Sequence, residues 1–242
     1  MAFSPKIENL RQWAVWESHG MPVNLLLAII THESGGIIGR PSRDTTKAYT
    51  VKNDEGKPEK INRAFGLMQT TSGLLQSWQE QNRTPQITID DLRKTDERAA
   101  RLQIHLGSWY LKNCLRQLAQ YDPIFDNISN PTDDQWKFAL CAYAKGFGAK
   151  SPPDGPGLKP KLDGLKQAGK PLTWTELKKL FPSFQPIGYA ERVFANFSST
   201  GGASLEVVKK PLMNQKYLPL VIIGGVLVAW KLGLFKRFLN AG

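Results

Sequence analysis

Glu33 ends an apolar run, Pro22-Val-Asn-Leu-Leu-Leu-Ala-Ile-Ile-Thr-His32-Glu33, which is followed by Ser34-Gly35-Gly36. A proline suits the first turn of a helix, and a Gly-Gly pair can take the left-handed conformation that stops one. In that helix Ile29 and Ile30 lie four and three residues back and share a face with Glu33. The carboxyl group then sits against hydrocarbon, beside the negative end of the helix dipole. Both surroundings disfavour the ionised form and raise the pKa toward neutrality, as a general acid requires. A glutamate near a helix end is ordinarily just a solvated residue. The apolar residues before this one and the motifs after it set it apart.

Three later segments hold polar and aromatic residues of the kind that line a cleft. They are Ala64-Phe-Gly66-Leu-Met68-Gln69, Cys141-Ala-Tyr143-Ala-Lys145-Gly146-Phe-Gly148 and Gly188-Tyr189-Ala-Glu-Arg-Val-Phe. Each has an ordinary structural alternative. Gln69 could cap the next helix, and Tyr143 could be plain core. Tyr189 stands in the stripe Ile187, Ala190, Val193, Phe194 and Phe197, and could equally be packing. His32 adjoins the acid, but consecutive helix residues do not face each other, so it reads as a neighbour and not a partner.

Taken in order with Glu33-Ser34-Gly35, these segments resemble the lytic transglycosylase domain of the SLT type, related to goose-type lysozyme. Tyr110-Leu111 matches the family's intervening helix, and the resemblance runs from about Pro22 to Phe197. It implies a lysozyme-like fold and cleavage of the β-1,4 bond between N-acetylmuramic acid and N-acetylglucosamine in peptidoglycan, with no metal or other cofactor. By the same resemblance Glu33 is the sole catalytic acid/base, Gln69 hydrogen-bonds the glycan, and Tyr143 and Tyr189 line the cleft. Ser34 joins the substrate contacts, Gly66 permits close backbone approach, and Met68 packs under the site. One carboxyl group suffices for this chemistry. Glu33 protonates the glycosidic oxygen while positive charge builds on the sugar ring. The substrate's acetamido group stabilises that charge. Glu33 then takes the C6 hydroxyl proton, and intramolecular attack gives a 1,6-anhydro product.

The sequence departs from the family pattern at four places. Ala144-Lys145 stand where Asn-Ala is usual, and Thr70-Thr71 replace a second methionine or aliphatic residue just past Gln69. The serine that often precedes the Gly-Leu-Met-Gln run is absent, with Ile61-Asn62-Arg63 in that vicinity. The interval from Glu33 to Gly66 is lengthened by an insertion. Two other readings stay open. A hydrolytic lysozyme would activate water with a second carboxylate from the insertion, Asp44, Asp54, Glu55 or Glu59. A non-catalytic structural or binding protein would keep only the fold.

The elements needed to position these residues are mostly helical. An N-terminal helix is expected from Ser4 as N-cap and Pro5, with Ile7, Leu10, Trp13 and Ala14 as its apolar stripe and Gly20 as its stop. Further helices are expected at 72–82, 95–120, 132–144, 173–181 and 186–197. Thr132 to Gln135 and Thr173 to Glu176 read as capping boxes. Residues 47–52 and 57–62 flank the turn Asn53-Asp-Glu-Gly56 and suit a hairpin. Ser151–Gly157 reads as a loop. The fold class is therefore α+β, mainly helical, with one small β-hairpin.

The chain has 242 residues with 41% hydrophobic content, enough for one packed domain with appendages. Its net charge of +11 suits an anionic polymer or lipid, but the cations are scattered and no nucleic-acid motif accompanies them. Cys114 and Cys141 fall among apolar neighbours, outside metal-ligand spacing with the histidines, and read as buried thiols.

Thirteen consecutive residues from Leu218 to Trp230 carry no charge. Leu218 to Phe235 would span roughly 27 Å as a helix, close to a bilayer core. Tyr217 and Trp230 resemble interfacial anchors, and Lys231 can extend its charge toward head groups. The expected organisation is an N-terminal helix over 1–21, the lysozyme-like domain over 22–197, a linker over 198–216, a transmembrane helix over 217–235 and a basic tail over 236–242. The N-terminus does not read as a signal peptide, and a C-terminal anchor alone would leave the domain in the cytoplasm, where there is no peptidoglycan. The layout resembles virion-associated phage transglycosylases that open the wall during genome entry. Expected partners are glycan strands, a bilayer through 217–235 and other virion membrane proteins. The expected location is a virion internal membrane, with a bacterial inner membrane as the alternative.

Overall fold

The computed structural model describes residues 2–42, 49–52, 58–61, 64–82, 87–148 and 156–201. The expected linker and transmembrane segment, from residue 202 on, lie outside the described residues, as does most of Ser151–Gly157. No described helix is long and apolar enough to cross a membrane.

The first helix expected from the sequence is two. Pro5–Glu8 (α1) and Arg11–Trp16 (α2) are separated at Asn9-Leu10. Ser4 holds the N-cap position in an extended conformation, but its side chain makes no capping bond. The break still leaves Ile7, Leu10 and Ala14 buried in the main core, with Trp13 packed beside them. The described residues before Val23 thus share one core with the helix that follows, through Ile7, Leu10, Ala14 and Met21.

That helix, Val23–Glu33 (α3), is the buried axis of the domain. All eight residues from Val23 to Ile30 are buried, so it has no solvated face before its last turn. Arg11 in α2 donates to Asn24 Oδ1 at 2.9 Å, and Asn24 Nδ2 donates to the carbonyl of Thr200 at 3.0 Å. The single polar residue among the eight therefore ties the start of α3 to both ends of the domain. Gly35 and Gly36 have φ of 62° and 75° and end the helix as expected.

Tyr49–Lys52 (β1) pairs antiparallel with Pro58–Ile61 (β2), Tyr49 facing Ile61 and Lys52 facing Pro58. This is the expected hairpin, with slightly shorter arms. A second small pair is new: Ala64–Phe65 (β3) against Thr70–Thr71 (β4), with Pro41 bridging to Phe65. The tight turn between β3 and β4 contains the Gly-Leu-Met-Gln run.

Ser72–Asn82 (α4) follows directly, then the short helix Ile89–Arg93 (α5) and the long helix Glu97–Tyr121 (α6). Asp96 caps α6 by accepting from the Ala99 N–H at 2.8 Å, which places its start two residues past the expected one. A 3-10 turn at Pro123–Phe125 leads to Asp133–Lys145 (α7), whose Thr132/Gln135 capping box is formed in both directions. Leu158–Gln167 (α8), Trp174–Leu180 (α9) and Pro186–Ser199 (α10) complete the described chain. At α9 only half of the second capping box forms, with Thr173 accepting from Glu176 N. α7 packs on α6 and α10, and α10 packs on α3. A smaller apolar cluster built from Phe65, Leu74, Leu75, Trp78, Leu92, Leu106 and Trp109 holds α4 and α5 on α6. Cys114 and Cys141 are buried free thiols. The fold is mainly helical with a small sheet, in keeping with a lysozyme-like SLT domain.

Candidate active site

A cleft of about 580 Å³ opens where the end of α3, the β3–β4 turn, the end of α7 and the start of α10 converge. Glu33 is at its head. The side chain keeps a window onto the cleft but is otherwise enclosed by protein, and this burial pushes its pKa up to about 7. One group opposes the shift. Tyr189, from the first turn of α10, has a hydroxyl whose proximity favours the ionised carboxylate. That hydroxyl is fully buried and forms no hydrogen bond of good geometry among the described residues, and the Glu33 and Tyr143 charges act on it. Burial, and after it the carboxylate's charge, hold the phenol well above its ordinary range, so Tyr189 stays a neutral donor.

His32 has a role that sequence spacing did not suggest. Its ring meets the Tyr189 ring edge-on, with centroids 4.9 Å apart. Burial and the Arg192 charge hold its pKa below the ordinary histidine value. His32 therefore packs, as a neutral ring, on the tyrosine whose hydroxyl favours the Glu33 carboxylate. Only the tertiary placement of α10 over α3 reveals this contact.

Gln69 and Tyr143, both named from the sequence, line the cleft. Gln69 has a φ of 50°, unusual for a side-chain-bearing residue. Its Nε2 donates to the carbonyls of Arg40 and Gly66, each at 3.0 Å, and so closes the β3–β4 turn on itself. Among the described residues its Oε1 has no such bond, and that oxygen can accept from a ligand. Gln69 does not cap α4; Thr71 does, accepting from Leu74 N at 3.1 Å. The Tyr143 hydroxyl donates to the Met68 carbonyl at 2.6 Å, and its ring lies 5.5 Å from that of Tyr110. This bond locks α7 to the β3–β4 turn and leaves the two rings as a wall.

Ser34, Met68 and Gly66 are placed otherwise than as direct contacts. Ser34 is wholly buried; its hydroxyl donates to the Ile30 carbonyl and accepts from Gly36 N, both at 3.1 Å. A side chain committed to the helix end has no face on the cleft, which corrects its placement among the substrate contacts. Met68 is buried beneath the turn, where Gly107 on α6 leaves room for it. Gly66, at φ 85°, does allow a close approach, but to protein and not to ligand. A Cβ there would stand 2.4 Å from the Gln103 side chain.

Gln103 escaped sequence analysis. It is fully buried on α6, where its Oε1 accepts from Leu67 N at 2.9 Å and Gly39 N at 3.3 Å. Its Nε2 donates to the Leu92 carbonyl at 3.0 Å. One amide thus satisfies backbone groups of three segments around the cleft floor. A polar residue within an apolar helical stripe was its only sequence signal.

Thr71, Ser77, Lys145 and Gln185 also line the cleft and were not assigned to it from sequence. Glu33 is the only carboxyl group among the described lining residues. Asp44, Asp54 and Glu55 lie outside the described residues, as does the side chain of Glu59. Among the described residues no cluster of three His, Cys, Asp or Glu is arranged to hold a metal ion.

A buried acid with an elevated pKa, set beside a neutral tyrosine in an open groove lined by both polar and apolar groups, can protonate a leaving oxygen and then accept a proton back. The family comparison points to the same chemistry. The sequence matches the family model described as "Transglycosylase SLT domain" over residues 13–153, from within α2 through the end of α7. Searches of curated proteins and of solved structures find no match. That one match covers more than half of the chain, Glu33 and the β3–β4 turn included, and shows that the chain belongs to the SLT transglycosylase family and is a peptidoglycan lytic transglycosylase.

Proposed function

We propose that the protein cleaves the β-1,4 bond between N-acetylmuramic acid and N-acetylglucosamine with Glu33 as its sole acid and base, leaving a 1,6-anhydro end. The observation that carries this reading is the Glu33 pKa of about 7 at the head of the cleft. At neutral pH a large fraction of the group holds a proton, while its conjugate base stays strong enough to retrieve one. In the first step the Glu33 proton passes to the glycosidic oxygen as the C1–O bond breaks. The ring cation is met by the substrate's own acetamido oxygen. In the second step the Glu33 carboxylate takes the C6 hydroxyl proton, and O6 closes on C1. No water is consumed and the acid is regenerated. Tyr189 fits the second half of the cycle, because a neutral donor beside the carboxylate stabilises it once it has lost its proton. Gln69 Oε1 and the Tyr110–Tyr143 wall suit the sugar hydroxyls and faces.

The test is Glu33→Gln, which keeps the shape and removes the transferable proton. Turnover on purified peptidoglycan should fall by about three orders of magnitude or more. Mass spectrometry of wild-type fragments should show anhydro ends. Reducing ends would mean hydrolysis and a second carboxylate, and clearing by the variant would remove Glu33 from the mechanism.

We further propose that residues 217–235 anchor the domain in a bilayer and that the protein is carried in a virion with an internal membrane. The uncharged run from Leu218 to Trp230, its aromatic ends and its flanking cations support the anchor. A wall-cutting domain on such an anchor suits an enzyme that opens peptidoglycan as a genome enters. The protein should be found in purified membrane-bearing particles; recovery from uninfected cells alone would count against this assignment.

A further inference from the structure

We propose that His32 is a positioning residue for the reaction, its ring holding the Tyr189 hydroxyl toward Glu33 so that the tyrosine can stabilise the carboxylate once the acid has given up its proton. This rests on the Glu33 chemistry proposed above and names what keeps its supporting donor in place. The Tyr189 hydroxyl is buried and has no hydrogen bond of good geometry among the described residues, so hydrogen bonding does not fix its direction. Packing of the ring must do so. Among the described residues Tyr189 has one aromatic partner, His32, with centroids 4.9 Å apart and ring planes at 81°. His32 belongs to the last turn of α3, next to Glu33, whereas Tyr189 belongs to the first turn of α10. The contact therefore registers α10 against the same helix end that carries the acid.

The ring does this without bringing charge to the centre. Burial, and after it the Arg192 charge, hold His32 below the ordinary histidine pKa, so the imidazole is neutral at neutral pH. A cation beside Glu33 would favour its ionised form and work against proton donation. The titratable groups around the acid are Tyr189 from α10 and Tyr143 and Lys145 from α7, while the β3–β4 turn offers Gln69, which does not titrate. The neighbours of His32 on α10 are Tyr189 and Arg192. Tyr189 is the group whose hydroxyl opposes the effect of burial on Glu33. Removing the His32 ring should therefore act on Glu33 only through that hydroxyl. A purely structural His32 would alter stability alone, and a charged one would act on the acid directly.

The experiment compares the full-length protein with its H32A, H32L, H32F, Y189F and H32A/Y189F variants, reading kcat and KM on purified glycan strands across pH, with urea unfolding as the control for stability. In H32A the basic limb of kcat/KM should move up by about 0.5–1 pH unit, the direction expected of Y189F. Its kcat should fall about three- to tenfold with KM unchanged. H32L fills the space without a ring and should behave as H32A does, so the result does not depend on a cavity. H32F keeps the ring and should return the limb most of the way to its wild-type position. In the Y189F background, H32A should move the limb no further. A wild-type limb in both H32A and H32L overturns the proposal, as does a shift in H32F equal to that in H32A. A further shift in the double variant overturns it too, because His32 would then act on the acid directly. An unmoved limb in Y189F removes the group through which His32 works and overturns it as well. Turnover by Glu33→Gln would instead remove the acid itself, so a failure of the Glu33 mechanism stays distinct from a failure at His32.

Discussion

Glu33 holds its proton because folding removes it from water, and that has a thermodynamic consequence separate from catalysis. Its pKa rises from an ordinary 4.5 to about 7. The folded state therefore binds more protons than the unfolded chain between those values. The contribution to stability is complete below about pH 4.5 and is lost as pH rises through 7. Water in the cleft reduces its size to roughly 1–3 kcal/mol. Glu33→Gln cannot ionise, so above pH 7 it should be more stable than the wild type by that amount, and the gap should close below pH 4.5. Urea unfolding of both proteins at pH 4.5 and pH 8 measures this, and a constant difference across the range would mean that Glu33 is not a buried acid. Turnover should fall above about pH 7 as the same proton is lost. Tyr189→Phe removes the hydroxyl that favours the carboxylate, so the basic limb of the kcat/KM profile should move to higher pH. A limb that stays in place would show that the hydroxyl does not act on Glu33. Of this centre, the acid and its hydrocarbon surroundings were legible in the sequence, because Ile29, Ile30 and Glu33 share one helix face. His32 was not, because its partner Tyr189 is 157 positions away in sequence.

The elements around the cleft are held by a few polar anchors and not by a large sheet. Gln103 is the clearest case, since its amide bonds backbone groups at Gly39, Leu67 and Leu92 together. Gln103→Leu keeps the volume and leaves two N–H groups and a carbonyl buried without partners. It should cost about 2–4 kcal/mol in urea unfolding and lower kcat/KM, because the turn that carries Gln69 and Met68 loses its support. A loss under 0.5 kcal/mol would mean that water reaches those groups. Periodicity revealed most of the helices, and the Thr132 to Gln135 spacing marked the start of α7 correctly. The misses have local causes. α5 has five residues, too few for a period, although Thr88 and Asp91 do form its capping box. α8 carries Leu162 and Leu165 on a buried face, but Pro160 and Gly164 within it and the Pro-Gly run before it read as loop. The N-terminal stripe was read correctly as apolar and wrongly as continuous, because Leu10 reaches the core equally well from the break between two short helices. The β3–β4 pair has two residues per arm, and its register depends on the Gln69 and Gly66 backbone, which no alternation pattern reports.

At the scale of the whole molecule, residues 1–207 form a compact unit by themselves. Within that unit, a polar contact at the end of α10 reinforces its packing on α3. The Thr200 carbonyl accepts from Asn24 Nδ2, and Asn24 in turn accepts from Arg11, so α10 is fastened to the start of the helix that ends in Glu33. Phe194 and Phe197 bury their rings in the main core just before that point. A chain ending at Gly201 keeps these contacts and removes the whole apolar run from Leu218 to Phe235. It should retain wild-type turnover on soluble glycan strands and lose flotation with anionic vesicles, where the full chain floats. A chain ending at Ala195 removes Phe197 and the Thr200 carbonyl, leaves Asn24 with an unmet donor, and should unfold at least 3 kcal/mol more easily. Flotation and urea titration of the two truncations separate anchoring from folding. If the chain ending at Gly201 still floats, the bilayer contact belongs to the enzyme domain and residues 217–235 are not the anchor. If it loses turnover on soluble strands while remaining folded, the segment after Gly201 contributes to the cleft.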